Sequence, residues 1–150
     1  MKIERYYEHN DLIDFYISRE IEFNENKQYF HPPLFSYVAK VDDLIIGAIT
    51  ICQEGEDFIL DEIAVSSLYE NQGIATKLVE ISIDHIKKEY GNRKIYLVAK
   101  IPTFWENKGF KIILREEAPS FSECFTCEEY QKTCFPETML LDLKKENNKE

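Results

Sequence analysis

The sequence predicts one α/β domain, of the α+β kind, built as a mixed and mostly antiparallel sheet flanked by helices. Three observations predict it. Short runs rich in Val, Ile, Tyr and Phe recur along the chain, bounded by turn-forming residues. A longer stretch after residue 74, with apolar residues at helical spacing, separates two of those runs. The chain has 150 residues, enough for one substantial core, and no internal repeat or linker divides it.

Taken in order, residues 2–7 read as a first strand. Residues 11–23 read as a helix with Leu12, Ile13, Tyr16 and Ile17 on one side. Residues 24–33 are polar, end in Pro32-Pro33, and predict a loop or short helix. Residues 35–41 and 44–51 form a hairpin closed by Asp42-Asp43, and residues 53–57 make the next turn. Residues 58–65 are apolar and partly β-branched, as a buried strand should be. From Ala75 an apolar stripe runs through Leu78, Val79, Ile83 and Ile86, and Gly91 stands where a glycine cap ends a helix. Residues 95–99 are the next strand. A short helix follows around Trp105, opened by a Thr103–Glu106 capping box and ended by Gly109. Strands at 110–115 and 138–143 complete the sheet, and the polar tail 144–150 is expected to fray.

Composition narrows the function classes. Net charge is −10, from 28 acidic and 18 basic side chains. That argues against a nucleic-acid partner, because phosphate binding needs clustered positive charge. It suits a cationic acceptor such as an amine, or simply an acidic surface. No apolar run reaches the ~18 residues of a membrane span, and Met1-Lys-Ile-Glu-Arg-Tyr lacks the apolar centre of a signal peptide. A cytoplasmic protein with no membrane partner is expected, and monomer and homodimer are both open.

The most informative segment lies between the strand ending Ile63-Ala64-Val65 and the long helix: Glu70-Asn71-Gln72-Gly73-Ile74-Ala75. It is small and flexible enough for backbone to approach a ligand. The first N–H groups of a helix lack internal partners, and the helix dipole adds partial positive charge, so the turn 72–76 is a candidate phosphate cradle.

This segment resembles the acyl-coenzyme A signature of the GNAT N-acetyltransferase superfamily, Arg/Gln-x-x-Gly-x-Gly/Ala at the start of the main helix. Gly73 and Ala75 match; Glu70 stands where that family usually has Arg or Gln. Downstream, Phe104-Trp105-Glu106-Asn107-Lys108-Gly109-Phe110 is similar to the family's Phe-Tyr-x-x-x-Gly-Phe segment. Trp105 replaces the tyrosine generally taken as proton donor to the leaving thiolate, and an indole N–H donates a hydrogen bond but is no useful acid. Val98 and Ile101 fill the places of the family's upstream Asn and Ala. The order of elements follows the family layout along most of the chain.

The resemblance implies transfer of an acetyl group from acetyl-CoA to a primary amine of a small molecule or peptide, by direct attack. It implies that backbone around Ile63, Ala64 and Val65 holds the pantetheine arm. It places Glu70, Asn71, Gln72, Gly73, Ile74, Ala75 and Thr76 at the pyrophosphate, with Phe104 and Trp105 beside the arm. It makes Glu62 or Asp61 the group that helps deprotonate the amine. Being adjacent on a strand, those two acids are expected to point to opposite faces, which excludes a paired-carboxylate hydrolase. His9, His31 and His85 read as surface residues, and no Ser-His-Asp order or nucleophile elbow appears.

Residues 117–136 form a long connection between the last two strands, holding Cys124, Cys127 and Cys134. A Cys-x-x-Cys pair with a third thiol nearby would supply most of a zinc site, with Glu123, Glu128 or His31 as fourth ligand; Cys52 lies in a predicted core strand. The alternatives are three reduced thiols or a redox-sensitive pair. Two rival functions stand beside the acetyltransferase: an acyl-CoA-binding sensor without efficient catalysis, motivated by Glu70 and Trp105, and a metal-binding or interaction module built on the cysteine loop.

Overall fold

The computed structural model describes residues 1–21, 23, 28–29, 31–118 and 137–144. Their elements are β1 (Lys2–Tyr6), a 3-10 turn (His9–Leu12), α1 (Ile13–Ser18), β2 (Pro33–Val41), β3 (Leu44–Glu54) and β4 (Asp57–Val65). A second 3-10 turn (Ser67–Tyr69), α2 (Ile74–Tyr90), β5 (Lys94–Ala99), α3 (Pro102–Glu106), β6 (Lys111–Ile112), a third 3-10 turn (Arg115–Glu117) and β7 (Glu137–Asp142) complete them. Seven strands form one sheet in the order β1-β2-β3-β4-β5-β7-β6. Every pairing is antiparallel except β4 with β5. The fold is the mixed, mostly antiparallel sheet with flanking helices that the sequence predicts.

The hairpins follow from their turn residues. Val41 pairs with Leu44 across Asp42, which adopts φ 54, and Glu54 pairs with Asp57 across Gly55, which adopts φ 61. Left-handed backbone suits tight hairpin turns, and Asp and Gly tolerate it best. The sheet separates two layers. On one face α2 lays Ile74, Leu78, Val79 and Ile86 over Phe35, Ile49, Ile51, Phe58, Leu60, Ile95 and Leu97. On the other, Leu12 and Tyr16 cover Val38 and Ala48. Trp105, Phe110, Met139 and Leu141 close the far end of the α2-side core.

β2 and β3 run longer than expected, from Pro33 and to Glu54, and three other differences have a visible local cause. The helix expected over 11–23 is a 3-10 turn followed by α1, which stops at Ser18. Its end is a double hydrogen-bonded cap: Glu20 N–H to the Ile17 carbonyl (3.0 Å) and Ile21 N–H to the Tyr16 carbonyl (3.1 Å). Glu20 carries the left-handed φ of 67 that glycine usually takes there, so composition hides the stop. The Thr103–Glu106 capping box does not form. Ile101 is the N-cap without a side-chain bond, and Pro102 takes the first helical turn, where its missing N–H costs nothing. Of the strand expected over 110–115, Lys111–Ile112 forms β6 against β7, one further bond runs from the Ile113 N–H to the Thr138 carbonyl (2.9 Å), and the chain turns helical at Arg115. The segment 119–136 lies outside the described residues. Among the described residues no helix is long and apolar enough to cross a membrane.

Gly47 lets α2 approach the sheet. A Cβ there would sit 3.2 Å from Ile74 Cγ2 and 3.4 Å from Leu78 Cδ1. Gly47→Val should therefore lower folding stability by about 1–3 kcal/mol through overpacking. Chemical denaturation of the two proteins checks this; an unchanged midpoint would show that α2 can shift without cost.

Candidate acyl-CoA and acceptor site

β4 and β5 pair only at Phe58 with Ile95 and Ile59 with Tyr96; beyond that point the parallel strands part. The break coincides with an irregularity between β3 and β4. Thr50 faces Glu62 and Ile51 faces Leu60, so Asp61 is an extra, unpaired residue. A bulge of this kind bends and twists its strand. Past it, the Ser66 N–H still bonds the Ile46 carbonyl of β3 (2.7 Å). Alternation then turns the N–H and C=O of Val65, and of Ile63 two residues earlier, to the unpaired side of β4. Ile63, Ala64 and Val65 are all half-buried, lining the opening between the strands.

The opening leads to the turn before α2. Asn71 and Gly73 both adopt left-handed backbone (φ 63 and 77). Gly73 is the helix N-cap, and the first helical bond is Lys77 N–H to the Gly73 carbonyl, 3.1 Å. Among the described residues the N–H groups of Ile74, Ala75 and Thr76 have no backbone acceptor. A Cβ added at Gly73 would meet nothing within 4 Å, so the approach is open. Glu70, Asn71, Gln72 and Gly73 are exposed, Ala75 and Thr76 half-buried, while the Ile74 side chain is in the core. Oriented donors, an open approach and the helix dipole fit a diphosphate. Glu70 opposes one, and its carboxylate is held by Arg19 Nη2 at 2.6 Å.

The two acids correct the sequence reading. Asp61 and Glu62 are adjacent, yet the bulge puts both on the α1 face. Glu62 stands opposite Thr50, and Asp61 Oδ2 accepts the Cys52 thiol at 3.7 Å. Burial raises the pKa of the Cys52 thiol well above its ordinary value, and Asp61 and then Glu62 add to that. The same two carboxylates act on the Tyr29 hydroxyl, which burial, the larger cause, also raises. Both acids therefore belong to one surface, beside Cys52 and Tyr29.

Sequence reasoning missed the polar chain under that surface. Tyr16 Oη and Thr50 Oγ1 are 2.8 Å apart, Thr50 Oγ1 and Ser36 Oγ 2.9 Å, and Ser36 Oγ and His9 Nδ1 2.8 Å. Tyr16, Thr50 and Ser36 are fully buried. The Tyr29 hydroxyl donates to the His9 carbonyl at 2.7 Å. His9 is thus a half-buried member of a network, and burial, then the Arg5 charge, lower its pKa against the opposing Glu8. The available signal was the placement of Ser36 and Thr50 inside otherwise apolar strands.

Trp105 is 7% exposed and meets Phe110 and Phe104 edge-on, with ring centroids 5.5 and 4.9 Å away. The half-buried ring at this end is Phe104, with Lys108 Nζ 3.8 Å above it. Cys124, Cys127 and Cys134, with Glu123 and Glu128, lie outside the described residues. Among the described residues no three His, Cys, Asp or Glu side chains gather as a metal site. His31, a candidate fourth ligand, has Nε2 3.0 Å from Glu54 Oε2. A separate groove of about 330 Å³ beside Tyr37, His85 and Lys88 touches none of the predicted site residues.

The family model for the acetyltransferase (GNAT) family matches residues 3–108. The chain belongs to the GNAT acetyltransferase family. It is accordingly an acyl-CoA-dependent N-acetyltransferase by family. No curated protein matches it. Among solved structures it is similar to a GNAT-family acetyltransferase from Staphylococcus aureus Mu50 (22% identity, TM-score 0.70, covering 95% of this chain and 98% of that one). It is also similar to an aminoglycoside 6'-N-acetyltransferase complexed with coenzyme A (16%, 0.70, 95% and 97%). A third is the ribosomal-protein-S18-alanine N-acetyltransferase of Escherichia coli (17%, 0.69, 95% and 93%). These likenesses extend the shared fold over β7, beyond the family match.

A pH dependence follows from the histidines. His9 and His85 both lie below the ordinary 6.5, in each case mainly through burial, then Arg5. The unfolded chain takes up these protons first. Stability should be full above pH 6.5 and fall as the pH drops towards the folded values. Replacing both by Asn should flatten the loss between about pH 7 and pH 5 in denaturation curves. An equal slope in the variant would show that other groups set it.

Proposed function

We propose that this protein transfers the acetyl group of acetyl-CoA to a primary amine of a small molecule or peptide in the cytoplasm. The observation that supports this most is the break in β4. It presents backbone N–H and C=O groups at Ile63 and Val65 on one edge, and two carboxylates on the face beside it. The unpaired edge suits the amides of a pantetheine arm, and the turn 72–76 suits its diphosphate. In this reading a thioester carbonyl on the edge is polarised by backbone N–H, the amine nitrogen attacks it, the carbon–nitrogen bond forms and the carbon–sulfur bond breaks. Glu62 takes the proton the nitrogen loses. Asp61 lies beside it on the same face, its Oδ2 3.7 Å from the Cys52 thiol, and is the alternative base. The departing thiolate is protonated from solvent, since the buried Trp105 indole supplies no acid.

The test is thiol release from acetyl-CoA with a panel of polyamines, aminoglycosides and peptides bearing free N-termini. Wild-type protein should turn over at least one class, and Glu62→Gln should lower kcat by roughly 10²–10⁴-fold with coenzyme A affinity unchanged. Equal turnover in Glu62→Gln would remove it as the base. Binding of coenzyme A without release of thiol from any acceptor would favour a sensor. Gly73→Asp puts a side chain and a negative charge into the cradle, and should weaken coenzyme A binding more than about tenfold. Unchanged affinity in the folded variant would remove the turn from the site.

A further inference from the structure

One basic residue reaches the candidate cofactor site from a part of the chain that the signature does not include. Arg19, at the end of α1, donates from Nε to the Val65 carbonyl at 2.8 Å and from Nη2 to Glu70 Oε1 at 2.6 Å. Its side chain is 28% exposed and that of Glu70 50%. Both partners belong to the cofactor reading: Val65 at the unpaired edge of β4, Glu70 at the first position of the turn. Glu70 is also where this chain departs from the Arg/Gln of the family signature. Left alone, its carboxylate would repel a diphosphate brought to the N–H groups of Ile74, Ala75 and Thr76. On α2 itself the first cation is Lys77, in the fourth helical position.

We propose that Arg19 is the basic residue of the cofactor site, neutralising Glu70 and supplying to the diphosphate the positive charge that the signature position lacks. This rests on the acetyl-CoA reading above. A guanidinium carries five donors in a rigid fork, and among the described residues only Nε and Nη2 are committed, to Val65 and Glu70. The remaining donors are free to meet a phosphate oxygen, the anion for which this planar group is best shaped. The placement is fixed from both sides. The cap that ends α1 at Glu20 orients Arg19, and the bulge in β4 turns the Val65 carbonyl outward to receive it.

Calorimetric binding of coenzyme A, at low and high salt, tests this on wild type, Arg19→Ala, Arg19→Lys, Glu70→Gln and the Arg19→Ala/Glu70→Gln pair. Pantetheine, which lacks the diphosphate, is the control ligand. Arg19→Ala should weaken coenzyme A at low salt by about tenfold or more, with the deficit shrinking at high salt and little change for pantetheine. Arg19→Lys should keep part of the affinity. Glu70→Gln should bind coenzyme A at least as tightly as wild type, and the double variant should bind better than Arg19→Ala. Equal weakening of coenzyme A and pantetheine at every salt concentration would show that Arg19 only holds the β4 edge, overturning the proposal. So would unchanged affinity in folded Arg19→Ala. Failure of wild type to bind coenzyme A would instead overturn the acetyl-CoA reading, and this inference with it.

Discussion

The bulge at Asp61 is the constraint on which the site depends. One unpaired residue in β4 has three consequences at once. It bends the strand where β4 and β5 stop pairing, so an edge of backbone polar groups is left in the middle of a sheet. It sets the phase of the strand beyond it, turning Ile63 and Val65 towards that edge. It also carries two neighbouring carboxylates to the same face. Pairing is also irregular between β2 and β3, at Pro33/Phe35 and at Ala39/Lys40, and α2 buries an apolar stripe against the sheet beside the break. An open edge inside a sheet is costly unless something binds it. Arg19 takes one of its carbonyls in this structure, and a ligand with alternating amides would complement the rest.

Arg19 also links two segments that are far apart in sequence. In the proposed reading α1 lies over the acceptor-side face and the turn before α2 belongs to the cofactor side, and the guanidinium bridges β4 and Glu70 between them. Ion pairs this exposed contribute little to folding stability on their own. Their effect here is local: the charge of Glu70 is balanced at the mouth of a cradle that needs positive potential. A charge in a signature position can thus be compensated from another element, and a signature read along the chain does not show it.

How much was legible in the sequence follows the same division. Elements marked by local chemistry were readable: the hairpin at Asp42, the Gly55 turn, the α2 stripe, its Gly91 cap, and the strand–turn–helix around Gly73. What failed was non-local or unmarked. The stop of α1 depends on Glu20 accepting a glycine-like conformation. The Thr103–Glu106 box matched the pattern, but Pro102 set the helix start. The faces of Asp61 and Glu62 were misassigned because strict alternation holds only in an unbulged strand, and a bulge without glycine has no compositional mark. Arg19 meets Val65 and Glu70, and His9, Ser36, Thr50 and Tyr16 meet one another, across sequence separations that no short motif spans.

The buried chain His9–Ser36–Thr50–Tyr16 shows why the proposed acceptor side is harder to read than the proposed cofactor side. On the α2 face, burial is mostly apolar, Ser82 aside, so many sequences would build the same support. On the α1 face, three fully buried hydroxyls satisfy one another in series, and each depends on the next for its partner. Removing the Thr50 hydroxyl would take from the fully buried Tyr16 hydroxyl the partner it has among the described residues, which costs about 1–3 kcal/mol. Such a network is specific to this chain and fixes Tyr16 beneath the acids. The cofactor side is made largely of backbone, whose hydrogen-bonding groups every sequence shares, and it is therefore carried by the fold. The proposed acceptor side is made of side chains, which in this reading puts its selectivity in their particular arrangement.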